Sequence, residues 1–467
     1  MRPVGVPTMG ADRRPVLMAT APWSTHVVGA TGTGKSTVIA QFALADLSDE
    51  GGPAVVVGDP KGDLVNDLIS RVPADRIEDV VLVDLGDPER LPSWNPLEVP
   101  TGATASSVVD AVTTVLMSSA STANAPRAEA LLRLALMTLV GSGATLADVV
   151  PILTDRRTRS RHLAQCTDHL VHDGWTWLDD LPPAAREAAI APVRWRVEAL
   201  LAKPAIRNLV GAGPSSFDIG KILLTGEQGR PGILLVRAPR GTVGTDAAAV
   251  TLSLLVATVW LTVLGRSALD HTLRRPAFMH LDECHHALRV GDALGDILAE
   301  ARGYGLGLVL AHQYLAQLGA GLRSAIAANA RQAVYFRCSP EDASVLGRTI
   351  APMDGSALTD LGPYEAAVRL MRGAEALPAF AVRTLPLMPP VPGRADEVRA
   401  ASARRFGLSK ADRRQRALRR LIRIDSGPST DVVSWVGRSA LPGVLPTSSQ
   451  LLRGATPADE NPDSCAQ

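Results

Sequence analysis

The sequence predicts an α/β protein with a doubly wound, mainly parallel β-sheet. Three observations support this class: short apolar runs recur along the chain, helical stretches alternate with them, and a glycine-rich turn joins the first run to a helix. Runs that are this continuously apolar are typical of parallel strands buried on both faces. The predicted strands are 25–28, 54–57, 80–83, 233–236, 278–281, 308–310 and 333–336.

The glycine-rich turn carries a phosphate-binding pattern. Residues 29–36 read Gly-Ala-Thr-Gly-Thr-Gly-Lys-Ser, the complete Walker A motif, and a predicted helix over 36–47 follows. Lys35 is expected on the β- and γ-phosphates of ATP, Ser36 on Mg²⁺, and the helix N-terminus behind the anion. The predicted ATP-binding residues are Gly29, Ala30, Thr31, Gly32, Thr33, Gly34, Lys35, Ser36 and Thr37.

The sheet pattern stops after 80–83 and resumes only near Gly232. In between, the chain is rich in Ala, Leu and Arg at helical spacing, with the clearest helices at 128–139 and 183–201. We therefore predict a discontinuous sheet domain, an all-helical inserted domain and a short N-terminal extension. Their boundaries are 23–100 with 226–390 for the sheet domain, 101–225 for the insertion and 1–22 for the extension.

One apolar segment is long enough to span a bilayer. Residues 247–265 contain no charged side chain over nineteen positions. However, the segment lies between two predicted parallel strands, 233–236 and 278–281, and such strands need a crossover connection. We therefore expect a buried core helix rather than a membrane span.

A second acidic element follows the strand 278–281. Asp282 and Glu283 end this apolar strand as in a Walker B motif. Asp282 is expected to hold Mg²⁺ through water, and Glu283 to polarise the water that attacks the γ-phosphate. The alternative is a turn aspartate followed by a solvated glutamate. Asp59 and Asp84 also end strands, but Asp59 begins Asp-Pro-Lys-Gly and is better interpreted as a tight turn beside the site.

Two further polar residues are candidates for the reaction. Gln313 ends the segment that begins with the strand 308–310, where it can sense the γ-phosphate or the water. The alternative is a glutamine that only caps the strand. Arg302 precedes a glycine-bearing loop. It is a candidate arginine finger for a neighbouring subunit's phosphate, worth about 10³–10⁵ in rate, or else a solvated arginine at a helix end.

The C-terminal part of the chain differs in composition. After the proline-rich stretch 385–392, residues 394–423 contain eleven Arg or Lys against three Asp or Glu. We predict a basic helical segment over 391–425 that contacts DNA, an anionic membrane surface or the sheet domain. Residues 426–467 are rich in Ser, Pro and Gly and are predicted to be disordered. The loop 237–241 is a second basic candidate for DNA contact, the alternative being an ordinary strand-end loop.

Composition narrows the class of protein. The chain has 467 residues, 46% of them hydrophobic and 20% charged, and its net charge of +1 gives no global field that points to nucleic acid or membrane. The four cysteines show no CxxC spacing, which favours a reducing compartment over a disulfide frame or a zinc site. No signal peptide is apparent. We therefore expect a cytoplasmic protein.

Six motifs together resemble the TraG/TraD-like conjugative coupling ATPases of type IV secretion, within the HerA/FtsK class of RecA-like DNA pumps. The resemblance covers roughly 23–385. The glycine-rich loop alone is unspecific, whereas the Asp-Pro-Lys-Gly turn and the glutamine-ended strand, in this order, are much more specific. The motifs are the loop 29–36, Gly58-Asp59-Pro60-Lys61-Gly62-Asp63-Leu64, Trp94-Asn95-Pro96-Leu97, Leu281-Asp282-Glu283, Ala311-His312-Gln313 and the stretch 329–343 with Ser339-Pro340-Glu341-Asp342-Ala343.

The resemblance implies a RecA-like motor that forms a homohexameric ring, uses ATP and Mg²⁺, and drives DNA, often with an attached relaxase, towards a type IV secretion channel. Typical members carry an N-terminal membrane anchor, whereas only 28 residues precede Gly29 here. Either a partner supplies the anchor and recruits the protein to the inner face of the plasma membrane, or the protein is a soluble relative. The implied site residues are Lys35 and Ser36 for phosphate and Mg²⁺, Asp282 and Glu283 as the Walker B pair, Gln313 as the sensor and Arg302 as the finger from the adjacent subunit.

Other functions are compatible with these residues. One is a HerA-like duplex-DNA helicase or a protein-secretion ATPase. The long helical insertion favours the conjugative function, because it can serve as a substrate-receiving cap. Another is an ATP-gated assembly platform with little turnover. DNA-stimulated hydrolysis of ATP distinguishes a DNA motor from such a platform.

Overall fold

The computed structural model describes residues 1–9, 14–19, 21–49, 51–118, 126–224, 229–287 and 293–425. Its strands are β1 (Arg2–Pro7), β2 (Val16–Met18), β3 (Thr25–Val28), β4 (Ala54–Asp59), β5 (Val80–Asp84), β6 (Ile233–Arg237), β7 (Ala277–Leu281), β8 (Leu306–His312), β9 (Gln332–Phe336), β10 (Glu365–Arg369), β11 (Met371–Arg372), β12 (Glu375–Ala376) and β13 (Phe380–Arg383).

The helices of the first half are α1 (Lys35–Leu47), α2 (Asp63–Ile69), α3 (Ala105–Met117), α4 (Pro126–Leu139), α5 (Val149–Thr154), α6 (Arg156–Leu163), α7 (His169–Asp180), α8 (Pro183–Leu201), α9 (Pro204–Val210) and α10 (Ile219–Leu224). Those of the second half are α11 (Arg240–Val243), α12 (Thr245–Leu264), α13 (Ala293–Glu300), α14 (Ala320–Asn329), α15 (Pro340–Leu346), α16 (Ala357–Asp360), α17 (Arg394–Phe406) and α18 (Lys410–Asp425).

One sheet of 11 strands organises the described chain, in the order β2-β1-β13-β10-β9-β3-β8-β7-β4-β6-β5. The seven strands from β9 to β5 are all parallel. These are the seven strands that the apolar runs predict, so the mainly parallel sheet is confirmed. Because their carboxyl ends meet at one edge, the loops that follow β3, β4, β7 and β8 converge there.

Four strands are additions that the apolar runs do not indicate. β1, β2, β10 and β13 pair antiparallel and extend the sheet beyond β9. Residues 1–22, interpreted from sequence as an extension of the sheet domain, thus supply two of its strands. Their signal is weak because β1 contains two prolines and a glycine and β2 has three residues. The pairing of β1 with β2 shifts register between Pro3 and Gly5, and proline is tolerated at such irregularities.

Helices cover both faces of the central strands, which confirms the doubly wound class. Along β4, Val55 and Val57 pack with Phe42 of α1 on one face. The alternate residue Val56 belongs to the cluster of Leu255 from α12 on the other. This alternation follows from the side-chain period of two along a strand.

The helices α3 to α10 lie between β5 and β6 in the chain, where the sequence predicts a helical insertion. Their buried residues join one apolar cluster with the sheet and α12. Contacts group Met1–Arg420 as one compact unit. The treatment of 101–225 as a separate domain stays a prediction.

The apolar segment 247–265 forms the long helix α12. Within the described residues, one helical stretch, Thr245–Ala268, is long and apolar enough to cross a membrane, and 83% of its most apolar window is buried inside the protein. Its neighbours include α3, α10 and β4. The segment is therefore a core helix here, as its position between two parallel strands predicts.

The basic segment is two helices rather than one, because Gly407 ends α17 before α18 begins. α17 lies on the sheet unit: Val398 is fully buried, and Leu82 of β5 donates its backbone N–H to Ser402 Oγ at 2.8 Å. Of the three predicted partners for this segment, α17 therefore contacts the sheet domain. The predicted disordered tail 426–467 lies outside the described residues.

Candidate functional site

The glycine-rich loop links β3 to α1 at the carboxyl edge of the sheet. Gly32 and Gly34 have φ of 78° and 112°, conformations that side chains other than glycine rarely adopt. Thr33 Oγ1 donates to the carbonyl of Ala30 at 2.8 Å, which holds the loop closed. Ala30, Thr31 and Gly32 are exposed, so this part of the loop is accessible to a ligand.

Lys35 and Ser36 begin α1 and face the acidic strand end. Lys35 is 6% exposed, and its Nζ donates to the Ala30 carbonyl at 3.1 Å. Burial lowers the pKa of Lys35, while the charges of Glu283 and Asp282 oppose that shift. Ser36 Oγ donates to Asp282 Oδ2 at 3.3 Å. The structure thus brings the loop and the acidic pair together, although 246 positions separate Ser36 from Asp282.

The two adjacent carboxylates are held in different environments. β7 ends at Leu281, and Glu283 takes a left-handed conformation with φ of 45°. This turn lets Asp282 face Ser36 while Glu283 faces β8 and β4. Burial, followed by the charges of Asp59 and Glu283, raises the pKa of Asp282 to about 6. A raised pKa means that the ionised form is costly in this environment, and a cation placed beside the carboxylate would stabilise that form.

Glu283 is ionised, and within the described part of the chain only one of its two carboxylate oxygens accepts hydrogen bonds. Burial alone would raise its pKa, but hydrogen bonds from Lys61 and Gln313 and the charges of Lys61 and Lys35 lower the pKa below the usual value. Lys61 Nζ at 2.5 Å and Gln313 Nε2 at 2.7 Å both donate to Oε1. Among the described residues no hydrogen-bond donor reaches Oε2, and His285 Nδ1 lies 3.8 Å from it. One oxygen of Glu283 is therefore anchored, and the other is buried without a donor among the described residues.

Lys61 is a site residue whose role the sequence motifs do not indicate. Asp59 ends β4 and accepts from the backbone N–H groups of Lys61, Gly62 and Val65 at 2.8, 2.7 and 3.0 Å. This is the tight turn predicted for Asp-Pro-Lys-Gly, and it aims Lys61 at Glu283. The strand order indicates this position of Lys61. Strands β4 and β7 are parallel neighbours, so the turns that follow them lie side by side.

Gln313 lies between the loop and the acidic pair. β8 is the strand between β3 and β7, so the residue that follows it faces both of their ends. The side chain donates to Glu283, and Thr31 Oγ1 donates to Gln313 Oε1 at 3.4 Å. Its backbone N–H donates to Gln317 Oε1 at 2.8 Å. The predicted sensor is therefore in contact with both halves of the site.

Arg302 is not part of the site within its own chain. It precedes β8 and so lies at the amino edge of the sheet, opposite the edge that carries the loop. It is exposed, and its guanidinium carbon lies 3.5 Å from the centre of the Trp23 ring, a cation–π contact. Trp23 precedes β3 and marks the same amino edge.

The basic loop 237–241 is engaged within the chain. Arg237 pairs with Asp84 at 2.9 Å, and Arg240 contacts His286 Nε2 at 2.5 Å. Both side chains thus have partners, which favours the ordinary strand-end loop over a dedicated DNA contact.

A buried imidazole pair lies beneath the site. His26 of β3 and His312 of β8 share a 2.7 Å contact between their Nε2 atoms, and the hydroxyl of Tyr335 lies 3.2 Å from His26 Nδ1. Burial lowers the pKa of His312 to about 4 and that of His26 as well. Both rings are therefore neutral near pH 7, and the pair ties the sensor strand to the strand that bears the loop.

Comparisons with known proteins agree with this architecture. Residues 15–349 match the family described as the type IV secretion-system coupling protein DNA-binding domain. No curated protein sequence matches the chain.

Solved structures share the fold at low sequence identity. The plasmid coupling protein TrwB in complex with the GTP analogue GDPNP is 16% identical over 83% of this chain and 90% of its own, with a TM-score of 0.58. TrwB in complex with ADP and Mg²⁺ is 16% identical over 80% of this chain and 88% of its own, also at 0.58. VirB4 of Thermoanaerobacter pseudethanolicus is 11% identical over 83% of this chain and 96% of its own, at 0.57. The predicted RecA-like P-loop fold is confirmed.

Proposed function

The chain belongs to the type IV secretion-system coupling protein family, and from that membership we propose that it is an ATP-hydrolysing motor that moves DNA, free or with a bound relaxase, towards a type IV secretion channel. The observation that carries the proposal is the shared site at the carboxyl edge of the sheet. There Ser36 contacts Asp282, and Gln313 contacts both the loop and Glu283. A nucleotide-binding loop beside a partly free carboxylate is suited to hydrolysis.

The donor set fits ATP with Mg²⁺. Structures of TrwB hold ADP with Mg²⁺ and analogues of GTP and ATP. In this chain the hydroxyl of Ser36 and the carboxylate of Asp282 are oxygen ligands of the kind that Mg²⁺ prefers. The high pKa of Asp282, about 6, fits a carboxylate whose charge is to be balanced by a cation. Bound there, Mg²⁺ would neutralise charge on the β- and γ-phosphates.

Glu283 is assigned as the general base. Its Oε1 is fixed by Lys61 and Gln313, so Oε2 is the oxygen that can accept a proton from the attacking water. The pKa of Glu283 is lowered, which keeps the carboxylate ionised at neutral pH. Gln313 also reaches Thr31 in the loop. Loss of the γ-phosphate would change both contacts of Gln313 and so be transmitted to β8.

Arg302 is assigned as a finger for a neighbouring subunit. Its position at the amino edge excludes a role in its own chain's site, whereas its exposure leaves it available to another copy in a ring. We propose a homohexamer on this basis and on the family resemblance, with the inserted helices 101–225 as the substrate-receiving cap. Membrane-anchored secretion components would recruit the ring from the cytoplasm to the membrane.

The shared site between subunits has its own test. A subunit with Arg302→Ala retains an intact Glu283, and a subunit with Glu283→Gln retains its Arg302. If Arg302 acts across an interface, mixing the two variants should restore part of the ATPase activity that each lacks alone. No recovery at any mixing ratio would contradict the assignment.

The experiment that tests the proposed function is the ATPase rate of the full chain with and without single- and double-stranded DNA. We expect stimulation by DNA and loss of all turnover in Lys35→Ala. Stimulation by DNA distinguishes a motor from an ATP-gated assembly platform, because DNA should not change the ATPase rate of a platform. Undiminished hydrolysis in Lys35→Ala would contradict the assignment of the loop.

A further inference from the structure

Tyr364 is an exposed aromatic residue that rests on the phosphate-binding loop. It immediately precedes β10, and its side chain is 50% exposed. A Cβ placed on Gly34 would lie 2.9 Å from Tyr364 Cδ1, so the edge of the ring is against the last glycine of the loop. A large aromatic surface is thus presented to solvent at the rim of the site.

The backbone of Tyr364 is held in an unfavourable conformation. Its φ is 62°, in the left-handed region, where a bulky side chain is an outlier. Three hydrogen bonds keep it there: its N–H donates to the Thr33 carbonyl at 3.0 Å, and its carbonyl accepts from the Thr384 N–H at 2.8 Å and from Thr384 Oγ1 at 3.1 Å. Strain that the surroundings maintain at a loop of this kind indicates a functional position.

The order of the strands gives the direction in which a nucleotide would leave the loop. β3 lies between β8 and β9. The acidic pair and Gln313 are on the β8 side, so the γ-phosphate end points that way. The ribose and base then extend to the other side, over β9 and β10. Tyr364 lies two interstrand spacings from β3 in that direction, which is about 10 Å.

We infer that Tyr364 is the base-binding residue of the site, where its ring stacks on the base of a nucleoside triphosphate whose phosphates occupy the loop 29–36. The inference rests on the proposed function, because it extends the same nucleotide site. Stacking uses the face of a base and not its edge, so this contact adds affinity without selecting one base strongly. The hydrogen bond to Thr33 fixes the ring relative to the phosphates.

The test compares two ligands on three forms of the full chain. Dissociation constants are measured for ATP and for inorganic tripolyphosphate, each with Mg²⁺, on the wild type, Tyr364→Phe and Tyr364→Gly. We expect Tyr364→Gly to bind ATP about 5- to 140-fold more weakly, the range that loss of one stacked base gives. Its affinity for tripolyphosphate should be unchanged, and Tyr364→Phe should match the wild type for both ligands.

Glycine is the informative substitution because it adopts a positive φ freely. Tyr364→Gly should therefore melt no lower than the wild type, which separates loss of the ring from loss of the fold. Wild-type affinity for ATP in Tyr364→Gly would overturn the inference. An equal loss for ATP and tripolyphosphate would also overturn it, since the ring would then only shape the loop. A wild-type chain that binds neither ligand would instead contradict the proposed function and, with it, this inference.

Discussion

Two polar clusters, one on strand β7 and one directly after it, put similar groups to different uses. The closed cluster consists of Arg2, Asp46 and His280, whose side chains are 0% exposed. Asp46 accepts from Arg2 Nε at 2.8 Å, Arg2 Nη2 at 2.7 Å and His280 Nε2 at 3.1 Å. Burial would raise the pKa of Asp46, but the charge of Arg2 and these hydrogen bonds lower it. Every oxygen of this carboxylate has a partner.

The open cluster consists of Lys61, Asp282 and Glu283, at the carboxyl edge of the same strand. Its carboxylates outnumber its one close cation. The pKa of Asp282 is raised to about 6, and Glu283 Oε2 has no donor among the described residues. The closed cluster ties β1 to α1 and β7, whereas the open cluster retains the capacity to bind a cation and a water. The difference between them lies in the carboxylates: both oxygens of Asp46 have donors, whereas Glu283 Oε2 has none among the described residues.

The largest expected effect is on catalysis, in the open cluster. Glu283→Gln should lower ATP turnover by about 10²–10⁴-fold, the usual contribution of a general base. The unfolding free energy should fall only modestly: the folded protein favours the charged form of Glu283, whose pKa is lowered, but the amide oxygen of glutamine can still accept from Lys61 and Gln313. Steady-state hydrolysis measures the turnover and urea unfolding measures the unfolding free energy, and the exposed Glu375→Gln is the control for both. Near-normal turnover would remove Glu283 from the mechanism.

The closed cluster should respond in the opposite way. Asp46→Ala leaves the Arg2 guanidinium buried and unpaired, which costs about 3–5 kcal/mol of stability. The folded fraction should still bind ATP, because Asp46 does not contact the loop in this structure. Urea unfolding and ATP titration of the same sample separate these effects. A stability equal to that of the wild type would show that the two clusters do not differ as described.

Lys61 is expected to have an intermediate effect. Lys61→Met removes the donor and the charge that hold down the pKa of Glu283, so the acid limb of the pH–rate profile should move to higher pH. Turnover at neutral pH should fall by about 10-fold, in line with one hydrogen bond to a charged group. Lys61→Arg is the matched control, since it keeps the charge. An unchanged acid limb in Lys61→Met would mean that Lys61 does not tune Glu283.

The smallest expected effect is the net pH dependence of stability. Burial lowers the pKa of His280, and it lowers the pKa of His312 to about 4. The neutral rings therefore stabilise the folded state fully above the unfolded pKa of about 6.5, and this stabilisation is lost as the pH falls below it. Asp282, with its raised pKa, acts in the opposite direction between about 6 and 3.8.

The two contributions partly cancel in the wild type. Asp282→Asn removes the opposing one, so the unfolding free energy of this variant should fall more steeply than that of the wild type as the pH is lowered from 6.5 to about 4. Urea unfolding across this range measures both slopes. Equal slopes would mean that Asp282 does not carry the expected charge cost.

Motifs that are continuous in sequence, such as the loop 29–36, are predicted from the sequence alone. Contacts that depend on the order of the strands in the sheet are not. Continuous apolar runs identify the parallel strands because both of their faces are buried. Strand β10, which reads Glu-Ala-Ala-Val-Arg, is also buried at its centre, but its short apolar run of small residues between two charged ones gives no such signal. The contact between Lys61 and Glu283 spans 222 positions, and nothing in either motif alone indicates it. Likewise, the position of Arg302 opposite the site follows only from which end of β8 it precedes.

The most direct test of the account is the structure of Glu283→Gln bound to ATP and Mg²⁺. We predict a triphosphate within the loop 29–36, Mg²⁺ between Ser36 and Asp282, and a water facing position 283. A nucleotide bound away from Lys35, or a metal that does not approach Asp282, would contradict it.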